Sequence, residues 1–356
     1  MSAVYNYAPG PAMLPPAVLE EVRRDLAERR PVSVLEAGHR TDWFDEIAAR
    51  SQANLRRLLD VSDDYAVLFL PGGARAQYAA VPLNLGAEDA DYFNTGHWSG
   101  WAMDEAARYT RVHVAAEIAE QDGLLTLPPP SQWANSRRPA YRHYVGNETL
   151  TGFAFAADRH LDDGLLVADL TSNFLTAPVD VSRHRVIYAG AQKNAGIAGL
   201  AVVIVARETF GAARAETPAI CNYELQDKTD SRFNTPPVFS WYVCDRVLEW
   251  TRREGGVPEM QRRAARRAAT LYDCIDASGL YDNPVAPPSR SSTNIFFRLR
   301  PPQLESRFLR EAGEQGLLGL RGHRATGGIR ASLYNGMPPE GAAALAEFMC
   351  DFEKRA

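Results

Sequence analysis

The segment from Val186 to Val205 reads VIYAGAQKNAGIAGLAVVIV and contains two apolar runs joined by a turn rich in glycine and alanine. Short apolar runs bounded by glycine are typical of buried strands. The turn carries one lysine, Lys193, among small residues. Burial lowers the pKa of a lysine, and the neutral amine can then attack a carbonyl group. On this segment alone, a solvated loop lysine is the more common outcome.

Similar apolar runs precede this segment, and most are separated by enough chain for a helix or a crossover. They lie at Tyr65–Leu70, Ala90–Asn94, Arg111–Val114, Arg142–Val145 and Leu165–Asp169. With the two runs around Lys193, Val186–Ala189 and Leu200–Val205, they make seven candidate strands. Alternating strands and helices predict an α/β domain with a mainly parallel sheet.

A smaller α+β domain is predicted after the Glu254-Gly255-Gly256 turn. Its candidate elements are a helix through Ala277, a strand at Asn294–Leu299, a helix at Pro302–Glu314, a strand at Ile329–Leu333 and a closing helix at Pro338–Lys354. We therefore expect a large domain over residues 15–255 and a small C-terminal domain over residues 256–356, with the N-terminal segment 1–14 packing nearby.

The composition argues against nucleic-acid-binding, membrane and metal-binding proteins. The chain has 356 residues, 46% of them hydrophobic, and a formal net charge of −5. This acidity provides no general attraction to nucleic acid or to an anionic membrane. Neither an apolar run of membrane-spanning length nor a signal peptide is apparent, so we expect a cytoplasmic protein. The four cysteines lie far apart without metal-ligand spacing, so we expect buried thiols and no metal site.

Three further features could serve a cofactor. Asp169 ends a predicted strand, and ligands of open α/β sheets bind at that end. The Gly72-Gly73-Ala74-Arg75 turn could bind a phosphate at the start of a helix. Trp98 could stack on a flat ring. Each feature alone has a commoner explanation: a turn aspartate, an ordinary glycine turn and a core tryptophan. A flat, phosphorylated, electron-withdrawing cofactor such as pyridoxal phosphate would use all of them together with Lys193.

Short strings along the whole chain resemble the phosphoserine aminotransferase family. They are GPAML at 10–14, GHR at 38–40, AAVPLN at 79–84, NET at 147–149, YAGAQKN at 188–194, FNTPP at 233–237, GHR at 322–324 and GIRAS at 328–332. The strings containing AGAQKN and FNTPP are the most specific. The resemblance implies a fold-type I enzyme dependent on pyridoxal 5'-phosphate, and a homodimer with both active sites near the subunit interface.

The resemblance also implies roles for individual residues. Lys193 matches the lysine that forms a Schiff base with the cofactor, and Asp169 matches the partner of the pyridine nitrogen. The other implied cofactor contacts are Trp98 on the ring face, Thr149 near the ring oxygen, Ala74, Arg75 and Gln192 at the phosphate, and Asn234 and Thr235 from the other subunit. The implied substrate contacts are His39, Arg40, His323, Arg324 and Arg330, with Arg40 as the carboxylate binder.

The implied reaction is reversible transfer of an amino group from glutamate to 3-phosphohydroxypyruvate, giving O-phosphoserine and 2-oxoglutarate in serine biosynthesis. Some members of the family also act on a phosphorylated four-carbon keto acid, giving 4-phosphohydroxythreonine on the route to vitamin B6. The alternatives are a serine–pyruvate or alanine–glyoxylate aminotransferase of the same class, or a protein that keeps this fold without catalysis.

The chain departs from the family pattern at two places. The usual Gly-Gly-Gly-Arg-Gly turn has alanine at Ala74 and Ala76, and the N-terminal Ser-Ser-Gly-Pro is replaced by residues 8–11, APGP. Alanine keeps its N–H but disfavours positive φ, so we expect the turn to bind phosphate if both alanines are helical. Proline at Pro9 removes a possible hydroxyl contact with the substrate.

Overall fold

The computed structural model describes residues 4–28, 32–86, 88–156, 160–161 and 164–356. Its largest element is a seven-stranded sheet. The strands are β1 Tyr65–Pro71, β2 Asp89–Asn94, β3 Arg111–Glu117, β4 Arg142–Val145, β5 Leu166–Asp169, β6 His184–Gly190 and β7 Leu200–Ala206. All seven predicted strands are present. The expected α/β architecture with a mainly parallel sheet is therefore confirmed.

The order across the sheet is β1-β7-β6-β5-β4-β2-β3. Only β7 is reversed: it pairs antiparallel with both β1 and β6, while the remaining neighbours pair in parallel. Every residue of β7 is buried, as expected for a strand in the interior of a sheet covered on both faces. Because β1 and β6 share an antiparallel neighbour, they run in the same direction. The carboxyl ends of six strands consequently meet at one edge.

Nine α-helices lie within the described residues. They are α1 Pro16–Ala27, α2 Asp42–Leu59, α3 Ala74–Asn84, α4 His97–Ala106, α5 Tyr223–Lys228, α6 Val238–Arg253, α7 Gly256–Ala277, α8 Glu305–Glu314 and α9 Pro339–Glu353. The sequence did not predict α6, which packs against α2. Valine and aromatic residues are common in α6 and favour strands locally, so burial against α2 decides its conformation.

The C-terminal part contains a three-stranded antiparallel sheet flanked by α7, α8 and α9. Its strands, in spatial order, are β8 Tyr281–Asp282, β9 Asn294–Leu299 and β10 Ile329–Ser332. The predicted helix from Pro302 begins as a 3-10 turn, and its α-helical part starts at Glu305. The N-terminal strand Tyr5–Asn6 pairs with Leu317–Leu318 and so packs against this part. The exact division at residue 255 stays a prediction.

Besides the pair Tyr5–Asn6 and Leu317–Leu318, four short strands of the described residues lie outside these two sheets. They are Ala119–Gln121, Leu124–Thr126, Asn147–Glu148 and Phe153–Ala154. Asn147–Glu148 pairs with Phe153–Ala154 in a small hairpin after β4. This hairpin carries part of the NET string into the region beyond the carboxyl end of β4. None of the helices in the described ranges has the length and apolarity of a membrane span.

The expectation of four buried thiols is wrong for three of the cysteines. Cys244 on α6 is buried, but Cys221 and Cys274 are partly exposed and Cys350 is exposed. Cys350 lies on α9, with its Sγ 3.7 Å from that of Cys274 on α7. The helical period places Cys274 and Cys350 at the edge of the contact between α7 and α9. The spacing of the cysteines along the sequence does not reveal this exposure.

Candidate active site

A cavity of about 410 Å³ opens at the edge where the carboxyl ends of the parallel strands meet. Ligands of open α/β sheets bind at this edge. Nine of the residues that the sequence assigned to a site line the cavity: Ala74, Arg75, Trp98, Thr149, Asp169, Gln192, Lys193, His323 and Arg330. The strands therefore bring together side chains that are separated by up to about 250 residues in the sequence.

Lys193 lies in the turn between β6 and β7 and projects into the cavity. Its Nζ donates a hydrogen bond to Oγ1 of Thr149 at 2.5 Å and lies 5.5 Å from the centre of the Trp98 ring. Burial lowers the pKa of Lys193 from the usual 10.5 to about 8, and the negative charges of Asp169 and Glu148 oppose this shift. A substantial neutral fraction of this amine is therefore available near neutral pH.

The N-terminal segment packs against Lys193. A Cβ atom at Gly10 would lie 3.3 Å from Cγ of Lys193, and Gly10 has a φ of +135°. Glycine suits this position because it tolerates that φ and leaves room for the lysine stem. Pro9 also lines the cavity, so the departure from the family pattern falls at the wall of the site.

Asp169 ends β5 and is only 3% exposed. Its Oδ1 accepts the backbone N–H of Thr171 at 2.9 Å, and its Oδ2 accepts the Tyr78 hydroxyl at 3.3 Å. Burial raises the pKa of Asp169, while the hydrogen bonds from Thr171 and the charge of Lys193 lower it. The carboxyl group is thus held in one orientation at the wall of the cavity, where a cationic ring nitrogen would compensate its charge.

The glycine turn at the end of β1 has an open side facing the cavity. Gly72 has a φ of +101°, and a Cβ atom at Gly73 would meet nothing within 4 Å. Helix α3 begins at Ala74, so both Ala74 and Ala76 are helical and need no positive φ. The backbone N–H groups of a helical first turn have no partner within the helix and bind anions well. Alanine is therefore compatible with phosphate binding at this turn.

Two arginines at the cavity carry charges that no carboxylate compensates within the described residues. Arg330 on β10 is 4% exposed, its Nε has no hydrogen-bond partner, and burial lowers its pKa. The Cζ atom of Arg75 lies 3.6 Å from the centre of the Trp101 ring instead of beside an acid. A buried cation without a partner is costly, so Arg330 favours the binding of an anion, whereas Arg75 is exposed and adds positive charge at the cavity.

Five predicted site residues do not line this cavity. Arg40, Asn234, Thr235 and Arg324 are exposed, and His39 is partly exposed. For Asn234 and Thr235, the family resemblance implies a contact with the other subunit's cofactor, which a single chain does not test. The roles of all five residues stay predictions.

The structure also places residues at the cavity that sequence reasoning missed. They include Tyr78, Asn147, Thr171 and Ser172. Nδ2 of Asn147 donates to Oγ of Ser172 and to Oδ1 of Asn294, both at 2.7 Å. Their positions in the sequence could have indicated three of them: Tyr78 lies one helical turn after Ala74, and Thr171 and Ser172 directly follow β5.

These groups fit pyridoxal phosphate. They include an amine with a lowered pKa, a buried carboxylate, an aromatic ring and a helix N-terminus, all at one cavity. Each corresponds to one part of the cofactor: its aldehyde, its ring nitrogen, its ring face and its phosphate.

The Aminotransferase class-V family model matches residues 4–345. The chain belongs to this class of aminotransferases, which use pyridoxal phosphate. Among curated relatives, the phosphoserine aminotransferase of Pseudomonas paraeruginosa is 45% identical over 354 residues, which cover 98% of each chain. Within the class, the family is therefore that of the phosphoserine aminotransferases.

Solved structures agree with this assignment. The phosphoserine aminotransferase from Bacillus circulans subsp. alkalophilus is 36% identical, with a TM-score of 0.93 and 99% of each chain covered. The phosphoserine aminotransferase from Trichomonas vaginalis, solved with pyridoxal phosphate bound, is 31% identical, with a TM-score of 0.92. It matches 98% of this chain and 100% of its own. The resemblance found in the short sequence strings is thereby confirmed.

Proposed function

We propose that the protein transfers an amino group reversibly between glutamate and 3-phosphohydroxypyruvate, giving 2-oxoglutarate and O-phosphoserine, with pyridoxal phosphate as cofactor. The observation that supports this most directly is the amine of Lys193, with a pKa of about 8, in a cavity that also holds Asp169 and the unpaired charge of Arg330. The proposal includes serine biosynthesis as the pathway and the cytoplasm as the location.

When bound, pyridoxal phosphate would supply an electron sink for the carbanion formed at the substrate Cα. Lys193 is the group that can move a proton there, because its amine is neutral in part near neutral pH. The Thr149 hydroxyl orients the amine through a hydrogen bond of 2.5 Å. The carboxyl group of Asp169 lies at the cavity wall, where it would pair with a protonated ring nitrogen.

3-Phosphohydroxypyruvate and O-phosphoserine each carry a carboxylate and a phosphate, while glutamate and 2-oxoglutarate carry two carboxylates. Two anionic groups on one small substrate need two cationic regions. Arg330 and His323 come from the C-terminal part of the chain, while Lys193 and Arg75 come from the large sheet and its helices. We propose that the site lies between a large domain of residues 15–255 and a small domain of residues 256–356. Arg324, His39 and Arg40 are proposed as the remaining basic contacts.

The test of the function is an assay of the purified protein with pyridoxal phosphate, glutamate and 3-phosphohydroxypyruvate. The proposal expects 2-oxoglutarate and O-phosphoserine in equal amounts. Faster turnover with pyruvate or glyoxylate as the amino acceptor would favour the serine–pyruvate or alanine–glyoxylate alternative. No transfer to any acceptor would favour a non-catalytic protein. Adding the phosphorylated four-carbon keto acid to the same assay decides whether the vitamin B6 reaction also occurs.

Replacing Arg330 should weaken substrate binding. Because the guanidinium is buried and has no carboxylate partner among the described residues, it is available to bind a substrate anion. We expect Arg330→Gln to raise the KM for O-phosphoserine by about 10- to 100-fold, the usual cost of losing a charge-assisted hydrogen bond. Steady-state kinetics measures this change. Arg298→Gln, on the neighbouring strand β9 and exposed, is the matched control and should leave KM unaltered. An unchanged KM for Arg330→Gln contradicts the assignment.

We further propose a homodimer in which Asn234 and Thr235 of each chain reach the cofactor phosphate of the other. Both residues are exposed and lie outside the cavity of their own chain, which supports a role in a second copy. Co-expression of a Lys193→Ala chain with an Asn234→Ala/Thr235→Ala chain tests this arrangement. Random pairing should restore about one quarter of wild-type activity, since half of the dimers are mixed and each contains one intact site. Activity no higher than that of the separate variants would exclude it.

A further inference from the structure

Glu148 is a buried acid just behind the cavity wall. It is 0% exposed and lies between Asn147 and Thr149, which both line the cavity. Its carboxylate accepts hydrogen bonds from the first turn of α4: from the N–H of Trp98 at 3.0 Å, the N–H of Ser99 at 2.9 Å and the hydroxyl of Ser99 at 2.9 Å. These partners are about 50 residues away in sequence.

Both oxygens of the carboxylate act as acceptors. Oε2 accepts from Trp98, and Oε1 accepts from Ser99. Burial raises the pKa of Glu148, and the hydrogen bonds from Trp98 and Ser99 oppose this rise, because backbone N–H groups at a helix N-terminus favour a negative charge. An amide in place of the carboxylate would direct an NH₂ group at one of these N–H donors. The arrangement is therefore specific for a carboxylate.

The turn before α4 is shaped around this carboxylate. A Cβ atom at Gly96 would lie 2.9 Å from Cδ of Glu148, and Gly96 has a φ of +150°. The Ser99 hydroxyl in turn accepts the N–H groups of Thr95 and Gly96 at 2.8 and 2.9 Å. The first turn of α4 is thus held from both sides, by Glu148 and by its own serine.

The ring of Trp98, by contrast, is held mainly by packing contacts. Its Nε1 is buried and has no hydrogen-bond partner in the part of the chain that the structure describes. The ring packs edge-on against Trp101, with the ring centres 5.3 Å apart, and against His97, with the centres 5.2 Å apart. The position of the indole is consequently set by the backbone from which it projects, and Glu148 holds that backbone.

We propose that Glu148 is a positioning residue of the amino-transfer site, whose carboxylate fixes the first turn of α4 and so holds the Trp98 ring at the cavity wall beside Lys193. The same residue is adjacent to Thr149, the hydrogen-bond partner of Lys193. One buried acid therefore links the aromatic wall to the segment that orients the amine. This inference rests on the proposed function and adds a residue that does not itself touch the cavity.

The charge of Glu148 has a second effect. Four influences act on the pKa of Lys193: burial and Arg330 lower it, while Asp169 and Glu148 raise it. Removal of the negative charge at Glu148 should therefore move the titration of Lys193 to lower pH. A purely structural role for Glu148 would disturb folding without this directed change.

The test compares Glu148→Gln with Glu347→Gln, an exposed glutamate on α9. Tryptophan fluorescence is titrated with pyridoxal phosphate, and Trp98→Phe identifies the part of the quenching due to Trp98. Glu148→Gln should lose most of the quenching due to Trp98. In the apoprotein, it should shift the pH midpoint of Lys193 labelling downward. It should also lower kcat/KM by about 10- to 100-fold. Glu347→Gln should match the wild type in all three.

Wild-type quenching and an unshifted Lys193 midpoint in Glu148→Gln would overturn the inference. If Glu148→Gln fails to fold, Ser99→Ala is tested in its place, because it removes one hydrogen-bond donor to Glu148. Ser99→Ala should show a smaller change in quenching in the same direction. Unchanged quenching in a folded Ser99→Ala would then overturn the inference. Fluorescence and labelling need no substrate, so their outcome does not depend on the proposed function. Failure of the proposed function would instead appear as an inactive wild-type protein.

Discussion

Lys193→Ala should lower turnover by at least about 10³-fold, because it removes the amine that can both attack a carbonyl and carry the Cα proton. No other lysine can replace it: the chain has only three lysines, and Lys228 and Lys354 are exposed and ion-paired with Glu224 and Asp351. Steady-state assays with glutamate and 3-phosphohydroxypyruvate measure the loss. Lys193→Arg keeps the positive charge but not the nucleophile, so it should be inactive as well.

The small number of lysines makes a direct labelling experiment possible. With a pKa of about 8, roughly one tenth of Lys193 is neutral at pH 7, far more than for an ordinary lysine. Borohydride reduction in the presence of pyridoxal phosphate should therefore attach the cofactor to the peptide containing Lys193 before the other two lysines react. Mass spectrometry of the digest identifies the modified residue. Preferential labelling of Lys228 or Lys354, or full activity of Lys193→Ala, would refute the assignment.

Asp169→Asn is expected to have the second largest effect, a loss of activity on the order of 10³-fold, the scale reported for removal of one preorganised polar group. Asparagine keeps the acceptor for the Thr171 N–H but loses the negative charge. Since Asp169 raises the pKa of Lys193, the variant should also shift the labelling midpoint of Lys193 below about pH 8. Both changes follow from charge, because the side chains have nearly the same shape.

Asp180→Asn is the matched control. Asp180 accepts the N–H of Ser182 at 3.0 Å, the same two-residue pattern that Asp169 forms with Thr171, but it is exposed and does not line the cavity. Its replacement should alter neither activity nor the labelling of Lys193. If Asp169→Asn left the midpoint unmoved while the protein stayed folded, the proposed electrostatic contact between Asp169 and Lys193 would be wrong.

The sheet could be predicted because each strand is a local apolar run with turn residues beside it. The same local information failed for α6, where valine and aromatic residues hide the helical period and packing against α2 determines the outcome. Local position could place Tyr78 near the cavity, one helical turn after Ala74, but it could not identify the hydrogen-bond partner of Tyr78. Nothing in the sequence around Tyr78 indicates that its hydroxyl meets Asp169, which lies 91 residues further along the chain.

The sequence by itself determined the α/β class and the family, and it predicted the two central groups, Lys193 and Asp169, because the strings that carry them are contiguous. The tertiary structure alone decided the environment of those groups: the cavity that lowers the pKa of Lys193, the uncompensated charge of Arg330 and the acid Glu148 behind Trp98. Burial and missing partners are properties of the space between distant segments. Both depend on how the strands align at one edge of the sheet, so no local sequence pattern predicts them.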